Sequence, residues 1–130
     1  MTRPRKPLLA IDWDGVLTSD RKQTWPLEDL DLTLVREALD RGWAVQIFTA
    51  NGKLDRIARE LRQRGISVFV DRHLRYRDWQ GGKSGRTVII STRKMWVRAI
   101  LDDRAHNFQY GDDPYAALDA LESVREWSAA

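Results

Sequence analysis

The chain has 130 residues, a net charge of +3 and no cysteine, so we expect a single domain over residues 1–130 that buries a hydrophobic core without covalent staples. The absence of cysteine excludes disulfides, zinc–thiolate sites and cysteine nucleophiles. No apolar run is long enough to span a membrane or to form the core of a signal peptide, so we expect a cytoplasmic protein with no membrane part.

The N-terminal half predicts two buried strands with a helix between them. A basic tail, residues 1–7, precedes Leu8–Ile11, a short apolar run that ends in acidic residues. Such a run is typical of a buried parallel strand whose carboxyl end opens into a site. Apolar residues at helical spacing predict a helix over Leu27–Arg41, which Gly42 ends. Ala44–Phe48 is predicted as the second strand.

The middle of the chain repeats this alternation. Leu54–Arg64 again has helical spacing, and Ser67–Val70 is predicted as the third strand. Residues 74–86 are polar and rich in glycine, which predicts a loop or the turn of an added hairpin. Thr87–Ser91 follows as the fourth strand.

The last two predicted elements are a short strand and a helix. Ala99–Leu101 is the fifth apolar strand, and Pro114 is placed to begin a final amphipathic helix. The residues available for the apolar face of this helix are Tyr115, Leu118, Leu121 and Val124. Strands that alternate with helices predict an α/β fold with a mainly parallel sheet.

Chemically useful side chains follow three of the predicted strands at the point where each ends. Asp12 and Asp14 follow the first strand, Thr49 follows the second, and Asp102 and Asp103 follow the fifth. Ligands of open parallel sheets bind beyond the carboxyl ends of the strands. We therefore expect these residues to converge in space although they are far apart in the sequence.

The acidic residues of Asp12-Trp13-Asp14-Gly15 predict a cation site. If the backbone stays extended, Asp12 and Asp14 point to the same side, and two carboxylates so close are costly unless a cation neutralises them. Mg²⁺ fits because the chain offers carboxylates and no thiolates. The alternative is a turn whose aspartates cap a helix. Asp102 and Asp103 weaken that alternative, because a second acidic pair ends another strand.

Three further residues are candidates for phosphate binding. Thr49 offers a hydroxyl, and Asn51 lies at the start of a predicted helix, whose N-terminus favours an anion. Lys94 precedes Asp102 by eight residues, and a lysine there could neutralise a phosphoryl group. The alternatives are that Thr49 and Asn51 only cap the helix and that Lys94 is a surface lysine.

These motifs, in this order, resemble those of the haloacid dehalogenase-like superfamily of phosphohydrolases. Motif I is matched by Asp12-Trp13-Asp14-Gly15, motif II by Ile47-Phe48-Thr49, motif III by Lys94, and motif IV by Ile100-Leu101-Asp102-Asp103. The run from Asp102 is similar to small capless members found in bacteria and phages. Met95 follows Lys94 where small relatives often have proline, which makes Lys83 a rival for motif III.

The resemblance implies a Rossmann-like three-layer sandwich without a full cap domain and a phosphatase mechanism. Asp12 would attack phosphorus and form an aspartyl-phosphate, and Asp14 would act as acid and then as base. Thr49 and Lys94 would hold phosphoryl oxygens.

The resemblance also implies a magnesium site and an ester substrate. Mg²⁺ would be bound by Asp12, the backbone carbonyl of Asp14 and Asp102. Asp103 would be either a further ligand or a residue that supports one of the ligands. The acid at Asp14 favours hydrolysis of a phosphate monoester, which could belong to a nucleotide or to the end of a nucleic acid. A phosphotransferase on the same fold and a non-enzymatic module that binds nucleic acid or protein remain as alternatives.

The middle of the chain is strongly basic. Residues 52–98 hold thirteen Lys/Arg against four Asp/Glu, a local charge of +9. Aromatic residues lie among the arginines of this region, which are Arg56, Arg59, Arg62, Arg64, Arg72, Arg75, Arg77 and Arg86. The arginines of region 53–98 could follow a nucleic-acid backbone, and the aromatic residues among them, Tyr76 and Trp79, could stack on bases. The alternative is a solvated arginine-rich surface.

Overall fold

A computed structural model describes residues 6–19, 27, 29–50, 52–93, 99–101 and 108–129. For residues 99–101 and 123–129 it describes the backbone alone. The elements are β1 (Leu8–Asp12), α1 (Thr33–Asp40), β2 (Ala44–Phe48), α2 (Leu54–Gln63), β3 (Val68–Val70), β4 (Val88–Ser91), β5 (Ala99–Leu101) and α3 (Pro114–Ala129).

The five strands form one sheet in the order β3-β4-β2-β1-β5, and all four pairings are parallel. β1 lies between β2 and β5, with Ile11 opposite both Ile47 and Leu101. This architecture confirms the predicted α/β class. It also places the carboxyl ends of β1, β2 and β5 side by side at one edge of the sheet.

The larger hydrophobic core lies between one face of the sheet and the helices. The sheet contributes alternate residues of β1, β2 and β4, and the helices contribute their apolar sides. The fully buried members include Leu9, Ile11, Val45, Ile47, Ile90, Val35, Ile57, Leu61 and Leu118. Each such side chain contributes roughly 1.5–3 kcal/mol to folding through its burial, so this face fixes the positions of the strands.

The second face of the sheet is covered in part by the segment that joins β3 to β4. Trp79 packs there against Leu8, Ala44 and Ile89, and its indole Nε1 donates to the carbonyl of Thr87 at 2.7 Å. Described residues 71–87 contain no strand. The prediction of a loop for residues 74–86 is therefore confirmed over that of a hairpin.

Helix α1 is shorter than predicted, because it begins at Thr33 and not at Leu27. Leu27 does bury its side chain in the core, which explains the apolar spacing. Its carbonyl, however, accepts from Arg64 Nη2 at 2.7 Å, and the amide of Asp31 donates to the carbonyl of Leu17. These long-range bonds replace the hydrogen bonds of a helix.

Helix α3 begins at Pro114 as predicted, but its apolar face is narrower. Leu118 and Leu121 are buried, whereas Tyr115 is 50% exposed. The predicted place of Tyr115 on the packed face is therefore wrong.

Candidate active site

Asp12 is the last residue of β1 and pairs with Phe48 of β2. The next residue, Trp13, is fully buried in the larger core, and its amide donates to the carbonyl of Phe48 at 3.1 Å. Side chains alternate along a strand, so burial of Trp13 on the helical side leaves Asp12 on the other side. Asp12 and Asp14 are both half-buried.

The chain turns immediately after β1. The carbonyl of Trp13 accepts from the amides of Leu17 and Thr18, and the amide of Gly15 donates to the carbonyl of Thr18 at 2.8 Å. Gly15 has a φ of +80°, a conformation that is costly for other residues. Asp14 therefore lies on a tight turn above the carboxyl end of the sheet, and not on a continued strand.

Thr49 meets Asp14 at this edge. Its hydroxyl donates to Asp14 Oδ2 at 3.2 Å, and its amide donates to the carbonyl of Ser91 at 3.2 Å. Thr49 is 1% exposed. The predicted convergence of the first two strand ends is thus confirmed. A hydrogen bond to a charged group contributes about 1.5–3 kcal/mol, so Thr49 holds the Asp14 carboxylate in place.

The turn is anchored by Asp29, which sequence reasoning did not identify. Its carboxylate accepts from Thr18 Oγ1 at 2.8 Å and from the amide and hydroxyl of Ser19 at 2.8 and 2.5 Å. Burial works to raise the pKa of Asp29, but the hydrogen bonds from Ser19 and Thr18 outweigh it and lower the pKa. This network joins the turn after β1 to the segment that leads into α1.

Tyr110 supports the same turn from the other side. Its amide donates to the carbonyl of Gly15 at 2.8 Å, and its hydroxyl donates to the carbonyl of Asp29. Burial, together with the negative charges of Asp29 and Asp31, raises the pKa of Tyr110. Tyr110 and Asp29 are 81 residues apart, so no local sequence pattern identifies their contact.

The remaining predicted site residues, Asn51, Lys94, Asp102 and Asp103, lie outside the described residues. Among the described residues, no three His, Asp or Glu side chains form a group that could hold a metal. The described donors are two half-buried carboxylates, Asp12 and Asp14. Such oxygen donors suit a hard cation such as Mg²⁺.

Lys83 lies at the opposite edge of the sheet from Asp12. It belongs to the turn Gly81–Gly85, which precedes β4, and the amide of Thr87 donates to the carbonyl of Gly81 at 3.0 Å. The amino end of a parallel strand is separated from its carboxyl end by the strand's length, about 3.3 Å per residue. Lys83 is therefore excluded as the motif III lysine.

Several arginines of the basic region are engaged in the fold. At least half of the eight arginines form ion pairs or hydrogen bonds. Three of them form ion pairs, Arg64–Glu60, Arg72–Asp55 and Arg86–Asp40. The fourth, Arg62, donates through Nη2 to the carbonyl of Val68. Trp79 is 7% exposed, so the expectation that it stacks on bases is wrong. Tyr76 remains 42% exposed.

The chain matches no protein-family model, no curated protein and no solved structure. The resemblance to the haloacid dehalogenase-like superfamily therefore rests on the motif residues of the sequence. Within the part of the chain that the structure describes, no helix has the length and apolar character needed to cross a membrane.

Proposed function

We propose that this chain is a magnesium-dependent phosphatase of the haloacid dehalogenase-like type, which hydrolyses a phosphate monoester through an aspartyl-phosphate on Asp12. One observation carries the proposal: Asp12 ends β1, and the carboxylate of Asp14, two residues further on, accepts a hydrogen bond from Thr49 at the end of the neighbouring strand. A nucleophile and a general acid at the same end of the sheet are the minimum that such a reaction requires.

The two aspartates divide the reaction. A carboxylate oxygen of Asp12 attacks phosphorus, the ester P–O bond breaks, and Asp14 gives a proton to the departing alcohol oxygen. In the second half, Asp14 takes a proton from water, whose oxygen attacks the same phosphorus. The acyl-phosphate P–O bond then breaks, which restores Asp12 and releases phosphate. The hydrogen bond from Thr49 keeps Asp14 oriented for both proton transfers.

Mg²⁺ fits the donors at this edge. Asp12, the backbone carbonyl of Asp14, Asp102 and Asp103 would hold it, and when bound it would offset the negative charge of phosphate and carboxylate. Leu101, which directly precedes Asp102 in the chain, pairs with Ile11 of β1. Asn51 and Lys94 would hold phosphoryl oxygens. The all-parallel order of the strands supports a Rossmann-like sheet, with the described helices on one face and the β3–β4 segment on part of the other.

The site would be open to large substrates. In the described part of the chain between Asp14 and Ser91, the elements are α1, β2, α2, β3 and β4, all of which belong to the sheet or its helical layer. The resemblance to capless members is consistent with this content. An open site suits a phosphate on an extended molecule, since the described residues of this interval form no inserted domain that would enclose the substrate.

Hydrolysis of an aryl phosphate, p-nitrophenyl phosphate, tests the proposal. We expect activity that requires Mg²⁺ and is abolished by chelation. Asp12→Asn keeps the shape of the side chain but removes the nucleophile, so we expect its activity to fall to background. Lys83→Gln, an exposed change at the opposite edge, is the matched control and should retain activity. Equal rates for Asp12→Asn and the unchanged protein, after repurification, would overturn the mechanism.

Labelling separates hydrolysis from transfer. With a ³²P-labelled donor, acid quenching should trap label on the protein but not on Asp12→Asn. Release as inorganic phosphate indicates a phosphatase, whereas label that appears on an added alcohol in place of phosphate indicates a phosphotransferase. Absence of trapped label and of turnover would favour a non-enzymatic binding module.

A further inference from the structure

The carboxyl edge of the sheet continues past Thr49 to β4 and β3, where exposed arginines follow the strands. Arg93 lies two residues beyond β4, and the amide of Asp71, just after β3, donates to the carbonyl of Ile90 at 2.9 Å. Residues 72–77, which we call the arginine turn, therefore leave the sheet at the same edge as Asp12. Three strand spacings, about 14 Å in all, separate β1 from β3.

The arginine turn has a fixed backbone. Asp71 is 3% exposed, and its carboxylate accepts from the amides of Arg75 and Tyr76, both at 3.1 Å. Arg72 forms an ion pair with Asp55 at the start of α2. These bonds close the turn onto the sheet, so its exposed side chains are presented from a rigid support.

Arg75, Arg77 and Arg93 provide the positive charge of this surface. All three are exposed, and none takes part in an ion pair among the described residues. The backbone at Arg93 is held as well, because its carbonyl accepts from Gln46 Nε2 at 2.7 Å and from Ser91 Oγ at 2.8 Å. The segments that follow two neighbouring strands, β4 and β3, thus both carry exposed cations.

A half-exposed aromatic ring accompanies these cations. Tyr76 is 42% exposed and packs edge-on against Phe69 and Trp79, with ring centroids 5.3 Å apart in both pairs. Phe69 and Trp79 stack on each other at 5.6 Å. Tyr76 is thus a supported ring between Arg75 and Arg77. A planar base can stack on such a ring, whereas an acidic peptide would engage the arginines alone.

We propose that Arg75, Tyr76, Arg77 and Arg93 bind a single-stranded nucleic acid whose terminal phosphate is the substrate at Asp12. Its backbone would follow the carboxyl edge from β3 past β4 to β1, and a base would stack on Tyr76. The assignment of the terminal phosphate rests on the proposed phosphatase function, but binding at the arginine turn does not.

Binding is tested by fluorescence anisotropy with a labelled oligothymidylate over a salt series. The Asp12→Asn protein is used, so that turnover does not interfere. Log Kd should rise linearly with log salt. Arg75→Gln with Arg77→Gln should weaken binding and reduce that slope by about 1.4, since each phosphate contact on a single strand contributes about 0.7. Lys83→Gln, an equal loss of charge per residue at the opposite edge, should leave the slope unchanged.

Tyr76 separates stacking from charge. Tyr76→Leu should weaken binding roughly 5- to 150-fold with an unchanged salt slope, and Tyr76→Phe should restore most of the affinity. Binding that ignores salt, an equal effect of Lys83→Gln, or tighter binding of polyglutamate than of oligothymidylate would overturn the inference. Hydrolysis of p-nitrophenyl phosphate without oligonucleotide binding refutes this inference alone. Oligonucleotide binding without any Mg²⁺-dependent hydrolysis refutes the phosphatase proposal.

Discussion

Polar side chains have different roles where the strands begin, which we call the amino edge of the sheet, and where the strands finish, the carboxyl edge. At the amino edge, Lys6 Nζ donates to the carbonyl of Gly85, the amide of Lys6 donates to Gln80 Oε1, and Gln80 Nε2 donates back to the carbonyl of Lys6. These bonds tie the chain before β1 to the β3–β4 segment. At the carboxyl edge, Thr49 donates to the carboxylate of Asp14.

The difference shows why residue type alone does not reveal function. The amino edge offers a lysine in a glycine-rich turn, and the carboxyl edge offers aspartates in a turn with one glycine. The hydrogen bonds between Lys6 and the amino-edge turn are made largely with backbone atoms. Such bonds stabilise the attachment of one chain segment to another. The bond from Thr49 instead orients a titratable group. Changes at the first edge should therefore alter stability, and changes at the second should alter activity.

Asp14→Asn should give the largest effect. The substituted amide cannot give or take the proton, so we expect kcat for p-nitrophenyl phosphate to fall about 10²- to 10⁴-fold, the usual contribution of general acid–base catalysis. The thermal unfolding midpoint should change little, because the oxygen of the Asn amide can still accept the hydrogen bond from Thr49. If Asp14→Asn lost much stability while its folded fraction kept a normal rate, the carboxyl edge would contribute to stability and not to activity, which would contradict the difference between the two edges.

Gly81→Ala tests the amino edge. Gly81 has a φ of +94°, and a Cβ there would lie 2.3 Å from the carbonyl oxygen of Gly85. We expect the free energy of unfolding to fall by more than about 3 kcal/mol. Gly42→Ala is the matched control, with a φ of +90° and no atom within 4 Å of its Cβ; it should cost only about 1–2 kcal/mol. Urea denaturation measures both, and equal losses would show that the contact with Gly85 relaxes without cost.

Thr49→Val should have an intermediate effect, chiefly on activity. It removes the donor to Asp14 while it keeps the volume of the side chain. Loss of a hydrogen bond to a charged group, about 1.5–3 kcal/mol, should lower kcat about ten- to a hundredfold. Thr49→Ser keeps the hydroxyl and should retain most of the rate. A rate defect common to both variants would indicate packing and not positioning.

Most of the sheet could be predicted because each strand is a short apolar run with a clear end. β2 has the predicted bounds, and the others differ by one residue or none. The meeting of Asp14 and Thr49 followed from the rule that parallel strands open their sites at one edge. The start of α1 could not be predicted, because Leu27 and Leu30 continue the apolar spacing while bonds from distant residues hold that segment outside the helix.

Local sequence patterns also could not predict the residues that hold the site in place. Asp29 and Tyr110 act on the turn after Asp14 through contacts that only the folded chain creates. The exclusion of Lys83 required the topology as well, because the sequence alone does not establish that β4 runs parallel to β1, which places the amino end of β4 opposite Asp12.

Asp29 should give the smallest effect, a modest dependence of stability on pH. Its pKa in the folded chain is lowered below the ordinary value of 3.8, so folding favours its charged form. The corresponding stability is present above pH 3.8 and is lost as the pH falls through the lower pKa of the folded state. Urea midpoints should therefore decline below about pH 4, and Asp29→Asn should weaken this decline while it lowers stability at neutral pH. An identical acid dependence in the two proteins would show that the bonds from Thr18 and Ser19 do not depend on the charge of Asp29.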